Sequence, residues 1–168
     1  MRIVVTDANI FFDLIGIGAL AHFFQLEYEI HTTELVMYEC DPEDIEQLQA
    51  FVVSGQLRIR AFTVEEVNVV ESTGRRKGLR PADRSVLFHA LELKGMVVSG
   101  DSDMRKECGE MKLECHGILW CISELHRIGH FDASQCLSIL DTLESINKWL
   151  PKLELEKLRK RLGGIDPA

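Results

Sequence analysis

The sequence predicts a three-layer α/β/α domain whose central sheet is five-stranded and mainly parallel, followed by a C-terminal helical extension. Three observations lead there. Apolar runs of strand length alternate with segments of helical spacing, the pattern of a parallel sheet covered by helices on both faces. The punctuation is that of helix starts and stops, with Asp, Thr and Pro ahead of helical segments and Gly behind them. At 168 residues, 46% hydrophobic and 27% charged, the chain is long enough to bury a core without disulfides or structural metal.

The elements follow in order. "RIVVT" is a first strand buried on both sides, and "NIFFDLIGIGALAHFFQL" is a helix weakened by two glycines. A short strand at "YEIHT" leads into helical "TELVMYEC", with Leu35, Val36 and Glu39 at helical offsets. "DPEDIEQLQAFVVSG" is a helix with Asp41 as N-cap, Pro42 at its first position and Gly55 past its end. "LRIRAF" alternates apolar with basic residues, which places it at a sheet edge. Thr63 and Glu66 form a capping box for the next helix, and "ESTGRRKGLRPAD" is a mobile basic loop. Pro81 opens "PADRSVLFHALELKG"; "MVVSG" is a central strand, "DSDMRKECGE" a short helix, "MKLECH" a last strand and "GILWCISELHRIG" its following helix. Beyond it the pattern is all helical, with Asp132 and Gln135 boxing one start and Pro151 opening another. Residues 1–130 therefore read as an α/β core and 131–168 as a helical extension packed on the same domain. The leucines Leu150, Leu153, Leu155, Leu158 and Leu162 give that extension an amphipathic face for the core or for a homodimer partner.

Composition excludes several classes. The longest apolar runs are too short, or are interrupted by Asp13 and His22, so no membrane span or membrane partner is expected. The opening residues show no signal-peptide pattern, which makes the expected location cytoplasmic. Five cysteines without a C-x-x-C pair argue against a disulfide framework, and the spacing of Cys108, Cys115 and His116 matches no zinc pattern. There is no phosphate-binding loop of the G-x-x-x-x-G-K type. Trp120 and Trp149 are expected in the core rather than as base-stacking platforms. The net charge of −8 repels nucleic acid at long range, so any contact with it needs a local basic patch or bound cations.

The acids are more informative. Ligands of open parallel sheets sit beyond the carboxyl ends of the strands, where the strand order reverses. Asp7 ends the first strand and Asp101 follows "MVVSG"; if those strands are neighbours, both face one crevice. Glu39, a turn and a half into its helix, and Asp83, in the first turn of the helix opened by Pro81, belong to the same level. Four carboxylates gathered there repel one another, and a hard divalent cation such as Mg²⁺ or Mn²⁺ resolves the conflict in a way that suits phosphodiester cleavage. Each acid also has a simpler account. Asp7 is placed for a strand-end turn, Asp83 for a helix dipole, Glu39 for a solvated face, and Asp101 and Asp103 for capping.

The stretches "VVTDANIFFDL", "TTELVMYEC", "LRPADRSVLFHALELKG", "VVSGDSDMRK" and "HGILWCISEL" stand in the order and approximate spacing of PIN-domain ribonucleases, which the chain resembles over residues 1 to 128. That family includes the toxins of many bacterial toxin-antitoxin pairs. The resemblance implies a metal-dependent endonuclease of single-stranded RNA, using Mg²⁺ or Mn²⁺, with RNA as substrate and an antitoxin protein as partner. Carried over residue by residue, it implies catalytic roles for Asp7, Glu39, Asp83 and Asp101. It implies metal ligation by Asp7, Glu39, Asp101 and Asp103, with Asn9 and Ser99 supporting the acids through hydrogen bonds. Beside those acids, Arg75, Arg76, Lys77, Arg80 and Arg84 are placed to hold RNA phosphates. "HGILWCISEL" departs from the shorter small-residue motif of many members, and the helical tail lies outside the common core. A catalytically inactive module that binds RNA or protein is the alternative. A phosphatase with Asp7 as nucleophile is disfavoured, because Asn9 stands where that chemistry commonly places a second acid.

Overall fold

The computed structural model describes residues 1–164. Five strands, β1 (Arg2–Thr6), β2 (Tyr28–Thr33), β3 (Leu57–Arg60), β4 (Met96–Val98) and β5 (Cys115–His116), form one sheet in the order β3-β2-β1-β4-β5. All neighbouring pairs are parallel. The chain builds outward from β1 to β3, crosses over, and finishes at β4 and β5, so the strand order reverses between β1 and β4. That reversal opens a crevice beyond Thr6 and Val98, which are register partners. The alternating strand β3 sits at the edge, and the all-apolar strand β4 sits inside, fully buried.

Helices cover both faces, giving the α/β/α layering. On one side α6 (Pro81–Leu93) packs against β1, β2 and β4, with α3 (Glu34–Met37) and α5 (Val64–Glu71) beside it. A buried His31–His89 pair, 3.0 Å between ring nitrogens, ties α6 to β2. On the other side α1 (Ala8–Gly16) contacts α2 (Leu20–Phe23), α4 (Pro42–Val53) and α8 (Ile118–Arg127). Right-handed crossovers require this division, because a parallel return packs back on the sheet in only one sense. After α7 (Ser102–Met111) and α8, the last two helices are α9 (Ala133–Ile146), which packs on α1 and α8, and α10 (Lys152–Leu162), which packs on α8 and α9. Among the described residues, no helix is long and apolar enough to cross a membrane.

The local signals mostly act where the sequence placed them. Capping boxes close at Thr63/Glu66 and Asp132/Gln135. Pro42 and Pro81 each open a helix. All five cysteines are free thiols. Four expectations are corrected. The single helix predicted after β1 is two, because Gly18 adopts a left-handed conformation (φ +69°) and turns the chain between α1 and α2. The helix expected to carry Glu39 stops at Met37, so Glu39 lies in the turn beyond it. Asp41 stands at an N-cap but makes no side-chain cap bond. Trp149 is 90% exposed rather than in the core. Trp120 is half-buried, edge-on to Tyr28 and stacked on His116.

Candidate active site

Asp7 is the N-cap of α1, and its backbone N–H donates to Val98 O across the β1/β4 gap at 3.0 Å. The side chain is fully buried. Its Oδ1 accepts from Ala8 N at 2.8 Å, and its Oδ2 accepts from Asn9 Nδ2 at 2.6 Å and Ser99 Oγ at 2.8 Å. Asn9 Oδ1 in turn accepts from Gly100 N at 2.8 Å, and Ser99 Oγ accepts from Asp101 N at 3.1 Å. These bonds stitch the ends of β1 and β4 together and hold one carboxylate at the switch point.

Burial pushes the Asp7 carboxyl up to about 6, reinforced by the charges of Asp83 and Glu39 and opposed by the bonds from Ser99 and Ala8. Glu39 is raised as well, chiefly by burial and also by Asp83, against the pull of Arg80. Arg80 lies among these acids, with Nη1 2.9 Å from Glu39 Oε1 and Nη2 3.5 Å from Asp83 Oδ1. Burial works against its charge, but Asp83, Glu39 and Asp7 outweigh that and hold its guanidinium above the ordinary value. Asp7, Glu39, Asp83 and Arg80 therefore form one electrostatic unit. Asp83 also closes the start of α6, accepting from Arg80 N at 2.7 Å.

Asp101 and Asp103 stand at the start of α7, Asp101 as its N-cap and Asp103 in its first turn, with Asp101 linked to Asp7 only through Ser99. Asp101 is exposed, and its Oδ1 caps the helix by accepting from Asp103 N and Met104 N, both at 2.8 Å. Asp103 lies 3.8 Å from Lys106, under the basic loop. A Cβ at Gly78 would sit 2.6 Å from Asp103 Oδ2, so the loop passes close over that carboxylate.

The basic loop is anchored. Buried Glu107 accepts from Arg75 N at 2.7 Å and Arg76 N at 3.3 Å, and the Arg76 side chain pairs with Glu107 and Glu110. Arg84 turns inward and donates to the carbonyls of Thr73, Gly74 and Arg76. Arg76 and Arg84 thus shape the loop, while Arg75 and Lys77 are exposed on it.

Sequence reasoning assigned no role to two buried acids, Glu107 and Asp13. Asp13 on α1 is 7% exposed, and both its oxygens accept from Asn147 Nδ2, at 3.1 and 2.9 Å. Burial raises it to about 6, with the Asn147 bond opposing. The signal was present: a carboxylate interrupting the apolar run "NIFFDLIG" must either face water or find a donor.

A divalent cation is the group this arrangement has to be tested against. The donors fit a hard ion, since the crevice offers carboxylate oxygens, and burial, with a smaller share from mutual repulsion, already raises Asp7 and Glu39. As the side chains stand, no three acidic, histidine or cysteine groups meet closely enough to share one ion among the described residues. The place between Glu39 and Asp83 is taken by the Arg80 guanidinium.

A family model described as a PIN domain, DUF3368, matches residues 3–164. The match runs on through α9 and α10, beyond the span in which the motifs themselves show the resemblance. No curated protein matches the sequence. Among solved structures, a PilT N-terminus domain protein from the hyperthermophilic archaeon Sulfolobus solfataricus P2 is similar, with 15% identity and a TM-score of 0.49 over 74% of this chain and 94% of that one.

Proposed function

The chain belongs to the PIN-domain family, and from that premise we propose that it is a metal-dependent endoribonuclease acting on single-stranded RNA. The observation that carries this reading is Asp7, a fully buried carboxylate raised to about 6, placed where the strand order reverses and set against Glu39 and Asp83. Such a group has a large electrostatic incentive to gain a cation. Asp7, Glu39 and Asp101, with Asp103 as a further candidate ligand, would hold Mg²⁺ or Mn²⁺ once the side chains draw together around it. When bound, the ion would lower the pKa of a water and offset charge on the phosphodiester oxygens.

The chain's own groups have distinct tasks. Asn9 and Ser99 fix the orientation of Asp7 through their bonds to Oδ2. Asp83 restrains Arg80 through its backbone N–H. Released from Glu39, the Arg80 guanidinium is placed to pair with a backbone phosphate, with Arg75 and Lys77 as further phosphate contacts on the loop edge.

Purified protein incubated with Mg²⁺ or Mn²⁺ and labelled single-stranded RNA is expected to cut it internally. Asp7→Asn is expected to stop cutting while leaving the circular dichroism melt cooperative. Retained cutting in that variant rejects the assignment. A calorimetric titration showing no divalent-ion binding at millimolar metal would instead favour an inactive binding module.

A further inference from the structure

Trp149 is the most exposed large apolar side chain in the described chain, at 90%. Its backbone is nevertheless held. Its N–H donates to Asn147 Oδ1 at 2.9 Å, and the Asn147 amide donates to both oxygens of buried Asp13. Asp13 lies on α1, the helix that Asp7 caps. A buried carboxylate six positions along that helix therefore tethers the segment bearing Trp149, while leaving the indole in solvent.

The indole borders two hollows. One, of about 500 Å³, is lined by Asn9, Gly100 and Asp101 of the acidic crevice together with Phe12, Ile146 and Lys148. The other, of about 330 Å³, is lined by Arg105, His116, Trp120 and Pro151 and shares Gly100 with the first. Phe12 and Ile146 are 40% and 49% exposed, so an apolar patch runs directly into the residues around Asp7. A chain of net charge −8 gains little from long-range attraction to a polyanion. Base stacking on an aromatic ring does not depend on that attraction, and every base offers a π face.

We propose that Trp149 is a stacking shelf for an unpaired nucleobase, adjoining the acidic crevice and setting which stretch of single-stranded RNA lies across it. This rests on the ribonuclease reading and deepens it by assigning a substrate contact outside the acids. A protein surface seated on the same patch is the competing occupant. Nucleic acid is favoured because the patch is continuous with Asn9 and Asp101 rather than set on a remote face.

The test measures binding apart from cleavage. Asp7→Asn/Trp120→Phe protein, in which Trp149 is the sole tryptophan, is titrated with a single-stranded uridine octamer, following indole emission. Anisotropy of labelled octamer is followed with Asp7→Asn and with Asp7→Asn/Trp149→Ala. Saturable quenching is expected, with affinity weakened about 5- to 100-fold by Trp149→Ala. Trp149→Phe is expected to restore most of it, and the slope of affinity against salt to stay unchanged, since no phosphate contact is lost. Equal affinity in Trp149→Ala, binding without quenching, or no octamer binding overturns the shelf. So does a Trp149→Ala effect seen only in sedimentation, which assigns the patch to protein contact. Quenching that persists in a chain that never cuts RNA rejects the ribonuclease reading and leaves the shelf standing.

Discussion

Asp7 caps and Asp13 lies within the same short helix, both buried, and burial lifts both carboxyls to about 6. Their surroundings differ. Asp13 meets a neutral amide, which satisfies both oxygens and closes the account locally. Asp7 also has neutral donors, but its charged neighbours are two more acids and one arginine. Burial with a neutral donor makes a structural strut. Burial among like charges leaves a field that a bound proton or a further cation relieves. A raised carboxyl is therefore not by itself the mark of a site; the sign of its neighbours is what separates the two cases.

The comparison breaks most easily on activity. Asp7→Asn is expected to lower the cleavage rate by about 10²- to 10⁴-fold, in the range of a lost group acting directly in the reaction. Asp13→Asn is expected to leave kcat near wild type and to raise KM a few-fold, by loosening Asn147 and with it Trp149. Equal losses in the two variants would abolish the distinction.

Metal comes next. At a hundred times its Kd, a bound ion stabilises the fold by about 2.7 kcal/mol, which for a chain of this size raises Tm by roughly 5 to 10 °C. Wild type and Asp13→Asn should show that rise with Mn²⁺, and Asp7→Asn should not. Differential scanning calorimetry with and without EDTA makes the measurement.

The pH dependence sharpens the pair further. Each carboxyl holds its proton more tightly folded than unfolded, so the associated stability is fully present below about pH 4 and is lost as pH rises through about 6. For Asp7, moving from the ordinary 3.8 to about 6 corresponds to roughly 3 kcal/mol. In EDTA, the loss of stability between pH 4 and 7 should shrink in both Asn variants. Saturating Mn²⁺ should cancel the Asp7 part in wild type and leave the Asp13 part untouched. Denaturant midpoints across that range report it.

The smallest effect concerns Asp101, which combines a strut and a charge. Asp101→Ala should cost about 1 kcal/mol through the lost cap of α7, while Asp101→Asn, an equally good cap, should cost almost nothing. If Asp101 also holds the ion, the Asn variant will show unchanged stability in EDTA with weaker Mn²⁺ affinity by calorimetry.

Much of the molecule is legible in the one-dimensional order. The strands show as apolar runs, and Thr63/Glu66 and Asp132/Gln135 announce their helices because a cap and its partner lie three residues apart. The support of the acids by Asn9 and Ser99 was legible only through the family resemblance, and the structure shows it as bonds between residues two apart at each strand end. Less was visible where partners are distant. Asn147 reaches Asp13 across 134 positions, and Arg80 reaches Glu39 across two helices and a strand, α4, β3 and α5. The composition of the basic loop suggested five equivalent phosphate contacts, yet Arg84 points inward to three carbonyls and Arg76 is paired with glutamates.

The sequence by itself determined the α/β alternation, the helix starts and the presence of acids at the ends of β1 and β4, because periodicity and capping are settled between near neighbours. Tertiary structure alone decided that β1 and β4 lie side by side, that Arg80 stands among the acids, and that Trp149 faces solvent beside them. Those outcomes depend on which surfaces the assembled sheet and its helices leave uncovered, and no local run of residues carries that information.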